Sequence, residues 1–152
     1  MGAAYFYHLT RRPLEEVLPQ LLERSLKQGW RVLVRGRNAR RIEALDLHLW
    51  SYAEDSFLPH GLAGGAHDAA QPVLLTADPL PADGRPCVMS VEGADVTADE
   101  VVAAERVCVI FDGNDPSALD RARTQWRTLT GAGANAQYWS EESGQWEKKA
   151  ES

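Results

Sequence analysis

The sequence has little of what marks a secreted, membrane-bound or metal-holding protein. Only two cysteines occur, Cys87 and Cys108, and they do not form a C-x-x-C pair. A chain of 152 residues can bury one core without stapling, so they read as reduced thiols in a cytoplasmic protein. No apolar run approaches the roughly 18 residues that span a bilayer. The opening MGAAYFYHLT has no basic stretch ahead of an apolar one, so no secretory signal is expected. Phe6 also stands where a myristoylation motif starting at Gly2 needs Ser or Thr. His8, His48, His60 and His67 lack metal-ligand spacing, and both the G-x-x-x-x-G-K-[ST] phosphate loop and the G-x-S-x-G nucleophile elbow are missing. No metal, no cofactor and no catalytic constellation are expected.

Two near-motifs are turned down by their surroundings. Gly131-Ala132-Gly133-Ala134-Asn135-Ala136 fits a loose G-x-G-x-x-A pattern, but a dinucleotide loop must follow a strand and open a helix. Here a helix comes first and a strand second, so the glycines read as a helix stop. The apolar run Val107 to Phe111 ends in Asp112, as in strands that hold magnesium near a phosphate. Without a phosphate loop, Asp112-Gly113 reads first as the turn leaving a strand. A nucleotide- or phosphate-handling enzyme using Asp112 stays open as an alternative.

What is present is an ordinary globular composition, 44% hydrophobic and 25% charged, folded around an alternation of short apolar strands and helices. Strands are expected at Ala3 to Leu9, Arg31 to Arg35, Val73 to Thr76, Cys87 to Val91, Val107 to Phe111 and Ala136 to Ser140. Leu14, Val17, Leu18, Leu21 and Leu22 recur at helical spacing, with a kink or restart expected at Pro19. Asn38 caps a second helix in which Ile42, Leu45 and Leu49 share a face. Thr97 or Asp99 caps a short third helix. Asp115 caps a fourth, with Pro116 at its first position. Strands that are apolar throughout predict a mostly parallel sheet of about five strands covered on both faces, a three-layer, Rossmann-like α/β/α sandwich. The chain reads as a single domain over residues 1–152, with 141–152 a polar tail around Trp146.

The net charge of −6 is unevenly spread. Arg11 to Arg41 holds nine Arg or Lys against three Glu, whereas Glu43 to Asp120 holds fifteen acids against Arg85 and Arg106. A local basic face can attract a polyanion even on an acidic protein, so direct binding of single-stranded DNA by the Arg11 to Arg41 stretch is a further alternative. Two stretches stand out as contact surfaces. Leu49 to Thr76 sets Trp50, Tyr52, Phe57 and Leu58 among turn residues, in a loop long enough to suggest function. On the helix after Asp115, Arg123, Trp126 and Arg127 fall close together, two guanidinium groups beside an indole. That set suits a short acidic peptide with an apolar end. For each, the competing reading is that the aromatics are core and the arginines solvated.

The wording of these stretches also resembles a known family. Trp50, Asp55-Ser56-Phe57-Leu58-Pro59-His60 and Gln71-Pro72-Val73 are similar to the chi subunit family of bacterial DNA polymerase III. Glu105-Arg106, Phe111-Asp112-Gly113, Ala122-Arg123 with Trp126, and Tyr138-Trp139 through Gly144-Gln145-Trp146-Glu147-Lys148-Lys149-Ala150 continue the resemblance in order. It implies the same Rossmann-like fold and a non-catalytic accessory role in DNA replication. It implies that Trp50 and Phe57, with Pro59 and His60 shaping the loop, face the psi subunit of the clamp loader or an accessory helicase. It further implies that Arg123, Trp126 and Arg127 take the acidic C-terminal tail of single-stranded DNA-binding protein. Trp126 stands where some relatives carry Tyr, and Arg127 where they carry Lys. Nucleic acid would then be met only indirectly, and no membrane is involved.

Overall fold

A computed structural model describes residues 2–51, 59–66 and 68–152. The chain alternates β1 (Ala3–Leu9), α1 (Leu14–Lys27), β2 (Val32–Arg35), α2 (Ala39–Ser51), β3 (Gly61–Leu62), β4 (Val73–Thr76), β5 (Cys87–Ser90), α3 (Ala98–Ala103), β6 (Arg106–Asp112), α4 (Pro116–Gly131), β7 (Asn135–Ser140) and β8 (Glu147–Glu151). All strands join one sheet in the order β3-β4-β2-β5-β6-β1-β7-β8. Every pairing is parallel except β7 with β8. The mostly parallel α/β reading therefore holds, but the sheet has eight strands rather than about five. The two strands absent from the sequence reading carry no apolar signal. β3 is two residues long. β8, inside the segment read as a polar tail, is exposed at all five positions and is held by its backbone bonds to β7.

Successive strand residues point to opposite sides, and the buried side chains divide accordingly. Tyr7 and Leu9 of β1 and Cys108 and Ile110 of β6 join Val17, Leu18, Leu21 and Leu22 of α1 and Ile42, Leu45 and Leu49 of α2. Ala4 and Phe6 of β1 and Val107, Val109 and Phe111 of β6 join Val101 of α3 and Ala122 and Leu129 of α4. Truncating a fully buried member such as Leu22 costs about 2–5 kcal/mol by removing its transfer energy and leaving a void.

Local chemistry sets the helix ends. Asn38 Oδ1 accepts from the backbone N–H of Arg40 at 3.0 Å and Arg41 at 3.2 Å, which caps α2. Thr97 and Glu100 form a reciprocal capping box on α3. Asp115 Oδ1 takes the Ser117 N–H at 3.0 Å, with Pro116 at the first position of α4. Gly131-Ala132-Gly133 is a helix stop: α4 ends at Gly131, Gly133 takes φ +88°, and the Ala134 N–H returns to the Leu129 carbonyl at 3.0 Å. A restart at Pro19 does not occur, and α1 runs unbroken from Leu14 to Lys27. Proline supplies no N–H to the carbonyl four residues back, and His48 Nε2 of α2 reaches that Glu15 oxygen at 2.6 Å instead.

Candidate functional site

The α4 surface starts from a helix whose two sides have different tasks. Ala122 and Leu129 are buried in the core, while Arg123 and Arg127 are exposed and form no ion pair or hydrogen bond through their side chains among the described residues. Trp126 lies between them, half-buried. Its ring meets Phe6 edge-on at 5.3 Å and Tyr138 edge-on at 6.0 Å. The two sequence readings of Trp126, core residue and surface residue, are thus both met by one side chain: part of the indole packs inward and the rest stays open between two free guanidinium groups.

Tyr138 and His8 extend this surface, to which the sequence did not assign them. Tyr138 pairs with Phe6 across β1 and β7, a register no local pattern encodes. Its hydroxyl lies 2.8 Å from His8 Nδ1, a hydrogen bond whose direction follows the imidazole tautomer. The His8 ring in turn stacks on Phe111 at 5.2 Å. Burial pushes the Tyr138 phenol above its ordinary value, with Arg123 opposing and Glu142 adding to the rise, so the phenol stays neutral and able to donate. Gly113 belongs here for a steric reason. A Cβ on it would sit 1.8 Å from the His8 ring, so the turn after β6 must pass against that ring without a side chain.

The second surface lies at the end of α2. Trp50 is 54% exposed and Leu47, three residues earlier on the same helix, is 69% exposed. Leu47 has a signal in the sequence, because it falls off the Ile42, Leu45 and Leu49 stripe. The Trp50 ring sits 4.5 Å from the His60 ring, tilted at 46°. His60 itself is buried, its Nε2 at 3.0 Å from the Asp46 carbonyl and 3.2 Å from its carboxylate. It therefore backs Trp50 and pins the chain to α2, and Pro59 beside it is half-buried. Phe57, with Tyr52, Glu54, Asp55, Ser56 and Leu58, lies outside the described residues. Past this stretch, Arg85 is buried and donates to the carbonyls of Gln71 at 2.7 Å and Asp68 at 2.9 Å, so one side chain gathers the approach to β4.

The place where a Rossmann-like sheet would hold a nucleotide, outside the carboxyl ends of its strands, is a cleft of about 650 Å³. Its charges are largely spent on one another. Arg12 bonds Glu141 at 3.0 Å, Arg41 bonds Glu92 at 2.7 Å and also Glu15, and Arg121 bonds Asp95 at 3.0 Å. Asp112 accepts the Asn114 N–H at 2.9 Å, the bond of a turn leaving the strand. Among the described residues no cluster of three or more His, Cys, Asp or Glu could hold a metal ion, and no helix is long and apolar enough to cross a membrane.

Residues 1–137 match the family model described as DNA polymerase III chi subunit, HolC. The chain belongs to the chi subunit family. No curated protein matches it. A chi subunit is an accessory subunit of DNA polymerase III, which gives the chain a role in replication. The match takes in Trp50, Arg123, Trp126 and Arg127, and it stops just before Tyr138.

Proposed function

We propose that this chi-family protein is a non-catalytic adaptor that links the clamp loader, through psi, to the acidic C-terminal tail of single-stranded DNA-binding protein. Trp126 between the unpaired Arg123 and Arg127 is the observation that supports the tail site. Carboxylates of the tail engage the two guanidinium groups, and an apolar side chain packs on the open part of the indole and against Tyr138. The exposed Trp50 and Leu47, with Phe57, form the psi or helicase contact, His60 and Pro59 setting the angle of the chain beside them. Use of both surfaces at once raises the local concentration of polymerase on coated template without new chemistry. The reading keeps the rest of the sandwich as scaffold and places the protein in the cytoplasm.

The test is binding of a fluorescent peptide from the acidic C-terminus of single-stranded DNA-binding protein. Binding that weakens with salt and is lost in Arg123→Glu with Arg127→Glu, the circular dichroism unchanged, supports the tail site. A well-folded wild type that does not bind the peptide sinks it.

A further inference from the structure

A second, smaller cleft of about 290 Å³ opens between α1 and the β1–β6 part of the sheet. Its charged lining is Arg24, Lys27 and Arg106, and no acidic side chain faces it among the described residues. This is unlike the larger cleft, where Arg12, Arg41 and Arg121 are paired with carboxylates, and unlike the protein as a whole with its net charge of −6. None of the three cations has an ion-pair partner among the described residues. Salt screens the distant acids over about 8–10 Å, so the local sign governs contact.

Aromatic rings flank these cations. The Arg106 guanidinium lies 4.1 Å over the Tyr5 ring and 5.1 Å from the Trp30 ring. Tyr5 stacks with Trp139 at 6.4 Å and 27°, and Tyr7 meets Trp146 edge-on at 5.2 Å. Tyr5, Trp30, Trp139 and Trp146 are all half-buried and rest on the α1–α2 side of the core. Two rings lie within cation–π distance of Arg106, while none of its side-chain N–H groups bonds a described residue. Lys148 pairs with Trp139 across β7 and β8 and so emerges beside it on the same side of the sheet.

We propose that this cleft and its row of rings bind single-stranded nucleic acid, with backbone phosphates at Arg24, Lys27 and Arg106 and bases stacked on Trp30 and Trp139, the Tyr5 ring being covered by the Arg106 guanidinium. Unpaired cations beside half-buried rings are the two components of sequence-tolerant strand binding, since phosphates need donors and every base has a π-face. An acidic peptide is matched less well, because the surface is a row of rings rather than a single socket. The cleft lies on the α1 side of the sheet and α4 on the other, so the proposal stands apart from the tail site.

The experiment is fluorescence anisotropy of an end-labelled oligodeoxythymidine of about 20 nucleotides, longer than the usual footprint of such grooves. Wild type is expected to bind with a log–log salt slope near −2, about 0.7 for each of three neutralised phosphates. Arg24→Glu with Lys27→Glu, both exposed, should weaken binding at least about ten-fold and take roughly 1.4 off the slope. Trp30→Ala should weaken it about five-fold or more through lost stacking, whether or not Arg106→Gln folds well enough to be compared. The acidic tail peptide should bind both variants as it binds wild type. No binding by wild type at low salt, equal binding by the charge-reversed variant, or equal affinity for a duplex of the same length overturns the proposal. Loss of the peptide rather than the oligonucleotide in the Arg24 and Lys27 variant also overturns it and makes the cleft a peptide site.

Discussion

Pro19 shows how a sequence rule can hold while its usual consequence fails. The residue removes a donor from α1, as proline must, yet the acceptor it orphans is met by His48 across the α1–α2 contact. The cost of the proline is thus carried by another helix, which local pattern does not reveal. His48→Ala should lower stability by about 1 kcal/mol, the lower end of the penalty for an unmet acceptor because this one is only part-buried. Pro19→Ala restores an N–H four residues beyond Glu15 and should shrink that loss. Urea denaturation of both single variants and the double variant decides it: strictly additive losses mean that His48 does not stand in for the missing donor. At the candidate site the same scale explains what was legible. Arg123, Trp126 and Arg127 are neighbours within one helix and could be grouped from spacing alone. Tyr138 and His8 reach Trp126 only through the pairing of β1 with β7 and could not.

The helices were legible to within a residue or two because their ends are written locally, in Asn38, Thr97, Asp115 and the glycines after Thr130. The order of strands was not, since β1 lies between β6 and β7 through contacts more than a hundred residues apart in sequence. α3 illustrates the gain from seeing both. Its capping box is a local signal, but the same Glu100 carboxylate also takes two bonds from buried Arg35, at 2.7 and 3.1 Å. Burial works to raise the Glu100 carboxyl, and the Arg35 bonds, the Arg35 charge and the Thr97 donors outweigh it, holding it below its ordinary value. A carboxyl depressed on folding adds stability that is complete above its unfolded value and fades as pH falls through the folded one. Glu100→Gln should therefore be less stable than wild type at neutral pH, with the gap closing on acidification through the carboxylate range. Urea midpoints for the two proteins across that range check it, and a constant gap would contradict the linkage.

Across the whole molecule, α2 and α4 belong to the two different halves of the core. Partners on the Trp50 and Arg123 surfaces are therefore expected to bind without competing. Trp50→Ala should leave the affinity for the acidic tail peptide within about two-fold of wild type, as distant and unconnected sites behave additively. A larger change, read by the same anisotropy assay, would mean that the surfaces communicate. The cleft beside α1 lies on the α2 side of the sheet, away from α4.

The short β8 has one more consequence. Its Glu147, Lys148, Lys149, Ala150 and Glu151 are all exposed, and a register shift opposite Tyr138 and Trp139 interrupts the ladder. A charged, irregular last strand is a poor template for another chain, whereas β7 beneath it carries the half-buried Tyr138 and Trp139 along its backbone donors and acceptors. A chain ending after Gly144 keeps buried Glu141 and its bonds to Arg11 and Arg12, but uncovers that run. Such a chain should self-associate through β7, seen as a concentration-dependent rise in mass by light scattering, and a strictly monomeric truncation would refute this. On that expectation, the charged β8 acts as a guard strip that keeps one copy of β7 from another.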